Sequence, residues 1–171
     1  MAKSYRVGVA GLVHDHVWGE LPHWMNHPQA EVVAAADSNP PLTERIQKEF
    51  SVEKIYDSVE TMLDAEDLDV LQICTSNRDH VPAVQAAAAR GVHCVVEKPM
   101  AHTLEGADAM LSAVTEADVR LAVNWPIQWN VSVRRAMDMV KAGDIGRTFN
   151  ARIRMAHEGP RELGCSPYFC G

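Results

Sequence analysis

Positive charge is scarce in this chain. Its 171 residues carry 16 Lys and Arg against 23 Asp and Glu, a formal net charge of -7. A phosphate backbone rewards the opposite balance, so nucleic acid is not expected as a partner. Long apolar runs are missing too. None approaches the roughly 20 residues that cross a bilayer, so no membrane partner is expected. The opening Met1-Ala2-Lys3-Ser4-Tyr5-Arg6 leads straight into a strand pattern, with no signal peptide in view. Cysteine is sparse. Cys74 and Cys94 lie in apolar runs and read as small buried hydrophobes. Cys165 and Cys170 flank Pro167, with no second Cys or His pair to complete a zinc pattern. A reducing cytoplasm is the simplest compartment. Nucleophile-elbow, P-loop and zinc-protease motifs are absent from the sequence.

What is present reads as one domain and the start of another. Hydrophobic residues make up 47% and charged residues 23%, the balance of a soluble globular protein. The length suits one ordinary core and is too short for two complete domains. Apolar runs at 5–10, 31–36, 54–56, 69–74, 92–96 and 119–123 predict six strands. Helical spacing between them predicts helices over 15–27, 40–50, 59–63, 80–90 and 103–117. Pro40 suits a first helical turn, Thr103 a cap and Gly91 a helix stop. Pro22 is awkward inside the first helix. Short apolar strands alternating with helices imply parallel pairing and right-handed crossovers, which is a doubly wound α/β sheet of the Rossmann type.

The tail differs. Residues 131–142 predict an amphipathic helix that stops at Gly143. Phe149, Ala151, Ile153 and Met155 then alternate with polar residues, as in a strand with one apolar face. One strand cannot make a sheet, so a longer protein or another chain is expected to complete it. The boundaries expected are therefore 1–123 for the doubly wound domain and 124–171 for the beginning of a second, α+β domain.

Doubly wound sheets bind ligands at the carboxyl ends of their strands. Gly11, Asp37, Thr75 to Asn77 and Glu97 to Pro99 all follow predicted strand ends. The first turn reads Gly11-Leu12-Val13-His14-Asp15-His16. Gly11 can make the tight turn of a dinucleotide site, but Val13 and His16 hold the later glycine positions. A turn without a ligand would look the same. Asp37 lies where an acid meets the adenosine ribose hydroxyls, or else it caps the turn before Pro40. A carboxylate there repels a 2′-phosphate, so NAD is preferred over NADP. Lys98, at the end of a central strand, suits a group that holds a substrate hydroxyl beside hydride transfer; its alternative is a surface ion pair with Glu97. Pro99 offers a cis bond that the sequence cannot display. His14 and His16 have no evident third ligand, so no metal is expected. Trp18 and Trp24 read as packing.

The VGVAG strand-turn, Asp37, the Thr75-Ser76-Asn77 turn with His80, the EKPMA run from Glu97 to Ala101, and Lys141-Ala142-Gly143-Asp144-Ile145-Gly146 occur in this order. Together they resemble the Gfo/Idh/MocA oxidoreductases over nearly the whole chain. The resemblance implies a Rossmann domain followed by a large open sheet that forms the substrate site and often the oligomer interface. It implies hydride transfer between NAD(P) and a hydroxyl carbon of a sugar, cyclitol or related compound. By position, Gly11, Leu12, Val13 and His14 would lie along the pyrophosphate and Asp37 on the adenosine ribose. Thr75, Ser76, Asn77, His80 and Glu97 would flank the nicotinamide half. Lys98 would be the catalytic lysine, with Asn124, Trp125 and Pro126 near the nicotinamide or substrate. Two departures stand out. Val13 replaces a glycine found in many members. The aspartate-histidine motif that partners the lysine lies beyond Gly171, and His157 does not substitute for it. The 171 residues alone are therefore expected to be inactive. A non-catalytic nucleotide-binding or regulatory module of the same fold is the alternative, and a self-pairing complete chain is a third reading.

Overall fold

The computed structural model describes residues 4–154. Among these, 4–124 form one compact unit and 125–154 another. The first unit alternates strand and helix throughout: β1 (Tyr5–Ala10), α1 (His16–Asn26), β2 (Ala30–Ala36), α2 (Pro40–Phe50), β3 (Ile55–Tyr56), α3 (Val59–Ala65), β4 (Val70–Ile73), α4 (His80–Ala88), β5 (His93–Glu97), α5 (Leu104–Glu116) and β6 (Leu121–Asn124). All pairs are parallel, in the order β3-β2-β1-β4-β5-β6. The chain runs outward from β1 to β3, then returns to β4 on the other side of β1. That reversal is the switch point where open α/β sheets form a crevice. The carboxyl ends align across it: Ala10 pairs with Ala36 and Ile73, Ile73 with Val96, and Glu97 with Asn124.

Alternation along the strands feeds two cores. Leu71, Ile73, Val96, Val84 and Met110 are buried in one, with α3, α4 and α5. Val9, Ala35, Leu12, Leu21, Ile46 and Cys74 are buried in the other, with α1 and α2. Strands covered on both faces must be apolar on both, which is why they read as runs rather than as alternating patterns. β4 breaks this rule. Gln72, on the α1 side between Leu71 and Ile73, is 1% exposed.

Helix α1 runs through Pro22, anchored by buried Val17 and Leu21. Gly19, exposed on the same helix, has open space where a Cβ would go. Gly19→Ala is expected to stabilise the chain by about 0.5–1 kcal/mol, because alanine loses less backbone entropy in a helix. A urea midpoint shift checks this. Thr103 caps α5 through Gly106 N–H, and Gly91, at φ +74°, follows the end of α4.

The second unit contains a short helix absent from the sequence expectation, α6 (Pro126–Trp129), and then α7 (Val131–Ala142). Asn130 caps α7 through Ser132 and Val133 N–H, and Gly143 ends it at φ +79°. The strand expected over 149–155 is not formed in its described part: residues 147–154 have no regular structure, and Phe149 and Ile153 are exposed. A strand needs a neighbour to satisfy its backbone, and none is paired there. Met155, His157, Cys165 and Cys170 lie outside the described residues. No helix among the described residues is long and apolar enough to cross a membrane.

Candidate cofactor and active site

The carboxyl edge of the sheet brings together most of the expected residues. Gly11 leaves β1 at φ +79°. A Cβ there would stand 2.6 Å from Thr75 Cα and 2.7 Å from Thr75 N. The turns after β1 and β4 therefore touch through the absent side chain. Asp37 leaves β2 and ties two turns: Oδ2 accepts Leu12 N–H at 2.7 Å and Oδ1 accepts Asn39 N–H at 2.8 Å. The capping role is thus real. Each oxygen still keeps a lone pair for a further donor. Val13 is half-buried and His14 is 3% exposed, so the first turn is filled by side chains where glycines would leave it open.

After β4, Ser76 Oγ bonds Asp79 Oδ2 at 2.6 Å, while Ser76 and Asn77 are exposed. His80 opens α4 fully buried. Its Nδ1–H donates to the Pro99 carbonyl at 3.1 Å, since a carbonyl only accepts. His80 Nε2 is buried with no hydrogen-bond partner. This bond joins the β4 turn to the β5 turn, where the Lys98–Pro99 peptide is cis. Lys98 is half-buried at that turn, and its N–H donates to Glu97 Oε2 at 3.2 Å. Trp125 belongs to the second unit, where it precedes α6 half-exposed.

Glu97 is not a surface partner of Lys98. It is 0% exposed and sits at the centre of a polar network on the α1 side of the sheet. His16 Nδ1 bonds Glu97 Oε2 at 3.0 Å. The Asn124 amide donates to Glu97 and to Glu20. Gln72 Nε2 donates to Glu20 Oε2 at 2.7 Å, and Trp24 Nε1–H fixes the orientation of that amide by donating to Gln72 Oε1 at 3.2 Å. Two carboxylates thus share a half-dry site. Burial first, then the nearby Glu97, pushes Glu20 up to about 7. Burial also raises Glu97, but the bonds from His16 and Asn124 outweigh it and hold its carboxyl at about 2. The Glu97 bond raises His16 against the opposing effect of burial, while burial lowers His14 to about 4. Burial pushes the Cys94 thiol up to about 12 and the Cys74 thiol up as well.

Sequence reading missed Glu20 and Gln72, and it gave Trp24 a packing role where its indole N–H also holds Gln72. Their one signal was a glutamine inside an apolar strand, which demands a buried partner. Trp18 packs beside Phe50 with Arg45 over its ring at 3.9 Å, a packing role as expected.

Residues 5–125 match the GFO_IDH_MocA family, described as an oxidoreductase family with an NAD-binding Rossmann fold. The chain belongs to this family. It is 31% identical over 140 residues to D-apiose dehydrogenase of Paraburkholderia graminis, covering 82% of this chain and 36% of that protein. It is 35% identical over 124 residues to 1,5-anhydro-D-fructose reductase of Ensifer adhaerens, covering 72% and 37%. The solved WlbA dehydrogenase from Bordetella pertussis, in complex with NADH and UDP-GlcNAcA, is 27% identical with a TM-score of 0.78, covering 85% of this chain and 44% of that one. The chain thus spans less than half the length of each of these relatives.

Proposed function

We propose that this chain is the cofactor-binding part of an NAD-dependent oxidoreductase that moves hydride to or from a hydroxyl carbon of a sugar, cyclitol or related compound. The convergence of the Gly11 turn, Asp37 and Lys98 on one edge of the sheet carries this reading. Gly11, Leu12, Val13 and His14 would line the pyrophosphate. Asp37 would accept from the adenosine ribose hydroxyls. Thr75, Ser76, Asn77, His80, Glu97 and Asn124 would flank the nicotinamide end, and Trp125 would lie close by in the complete enzyme. NAD, when bound, would supply the hydride acceptor or, in its reduced form, the donor. Lys98 would hold the substrate hydroxyl and its proton, while His80 fixes the turn that carries it. Relatives that are dehydrogenases of apiose and of myo-inositol support this substrate class. Cytoplasmic residence, and assembly of copies through the sheet that follows in family members, belong to the same reading.

Calorimetry with NAD and NADP tests the cofactor. NAD is expected to bind the 171-residue chain, and NADP more weakly. The Asp37→Ala variant should lose about tenfold in NAD affinity, the worth of one charge-assisted hydrogen bond, and narrow the gap to NADP. Preference for NADP would overturn the assignment. The purified 171 residues are expected to show no turnover. In the full-length enzyme, Lys98→Ala should abolish most turnover and keep NAD affinity. Unchanged turnover would favour a non-catalytic nucleotide-binding module.

A further inference from the structure

His14, His16 and Glu97 each place a ligand atom within 4.8 Å of the other two. The sequence offered two histidines without a third donor; the fold brings that donor from 81 residues away. His14 and Glu97 are almost wholly buried, which separates this cluster from the solvated groups common on protein surfaces. We propose that His14, His16 and Glu97 form a binding site for one divalent first-row transition ion of the zinc or cobalt kind.

The donor set decides the class of ion. Two imidazoles and one carboxylate suit zinc and its neighbours, whereas calcium and magnesium want oxygen throughout. Lone pairs are placed for it. His14 Nδ1 accepts the His16 N–H at 3.2 Å, a bond that an ion on this nitrogen would displace. His16 Nδ1 and Glu97 Oε2 now meet across one proton at 3.0 Å. An ion would take the place of that proton, which leaves to solvent. Glu97 is oriented from behind: Asn124 holds its other oxygen, the kind of outer support that ligating carboxylates have. The amino end of α1 opposes a cation with about half a positive charge. Against that, and against the Lys98 ammonium that acts on both imidazoles, the site sets the full negative charge of Glu97. Three protein ligands leave a position open for water or for an oxygen of a small molecule. The site does not depend on the dinucleotide reading, because metal binding is measured without NAD.

The 171-residue chain, freed of metal with a chelator and titrated with Co2+, is expected to take up one equivalent. It should develop the visible absorption of a low-coordinate cobalt site, and Zn2+ should displace that colour. His16→Ala and Glu97→Gln should each weaken binding by more than about 100-fold, beyond what losing an outer-shell partner costs. His23→Ala, at the far end of α1, should leave it unchanged. Should the Glu97 variant fail to fold, imidazole resonances of the unaltered chain decide. Zn2+ should shift those of His14 and His16 and spare His23, His27 and His80. Sub-stoichiometric uptake, binding that survives both substitutions, or shifts confined to other histidines would overturn the site.

Discussion

Gly11→Ala is expected to cost the chain about 2–5 kcal/mol and to abolish NAD binding. Two penalties add. At φ +79° an alanine sits in the left-handed region, which costs about 1–2 kcal/mol. Its Cβ would also stand 2.6 Å from Thr75 Cα, 2.7 Å from Thr75 N and 2.8 Å from Thr75 Cγ2. Two of these are backbone atoms of the neighbouring turn, so no rotamer change relieves the clash. The turns after β1 and β4 must move apart, and overpacking of this kind costs about 1–3 kcal/mol more. The crevice at the switch point opens between those same turns, so the dinucleotide loses its seat. Gly91→Ala separates the two penalties. Gly91 has a similar φ of +74°, but open space where the Cβ would go. It should lose about 1–2 kcal/mol and keep full NAD affinity. Urea unfolding and NAD calorimetry on both variants check the comparison. If the Gly11 variant is no less stable than the Gly91 variant, the close approach of Thr75 is wrong.

The sheet was legible because its strands are apolar runs and its punctuation is local. Pro40, Gly91, Thr103 and Gly143 mark helix ends that the structure forms within two residues. Asp37 and Glu97 were legible as strand-end residues. What they touch was not. Leu12 and Asp37 are 25 residues apart, and Glu20 and Asn124 are 104 apart. Only the crossovers of the fold join them. Glu97 shows the consequence: its neighbour in sequence suggested an ion pair with Lys98, while the strand turns its carboxylate inward to His16. The tail failed for the opposite reason. Its alternation was plain over 149–155, yet a strand is a property of two segments, and nothing pairs with residues 147–154 among those described.

Glu97→Leu is expected to cost about 3 kcal/mol at neutral pH, because it strips the acceptor from a buried charge pair and leaves His16, Asn124 and the Lys98 N–H without it. Glu20→Gln should act differently, through pH. Glu20 faces Glu97 on β5, Asn124 on β6, Gln72 on β4 and His16 on its own helix, with Lys98 beyond Glu97. Its folded value of about 7 lies above the ordinary 4.5, so the folded chain holds this proton more tightly than the unfolded chain does. That contribution is full below pH 4.5 and is lost as pH rises through about 7. His16, also raised, loses its contribution in the same direction above 6.5. Glu97, held at about 2, has the opposite sign: its contribution is full above pH 4.5 and falls away on acidification through about 2. His14, lowered to about 4, likewise loses its contribution as pH falls from 6.5 through about 4. Stability should therefore peak in mildly acidic solution and decline toward pH 8. Glu20 should supply on the order of 1 kcal/mol of that decline, a value reduced for its partial exposure. Urea midpoints from pH 4 to 8.5, with a chelator present, test this. The unaltered chain should weaken on the alkaline side, and Glu20→Gln should flatten that limb while leaving the acid limb in place. An alkaline limb identical in both proteins would mean that the two carboxylates do not compete for one proton.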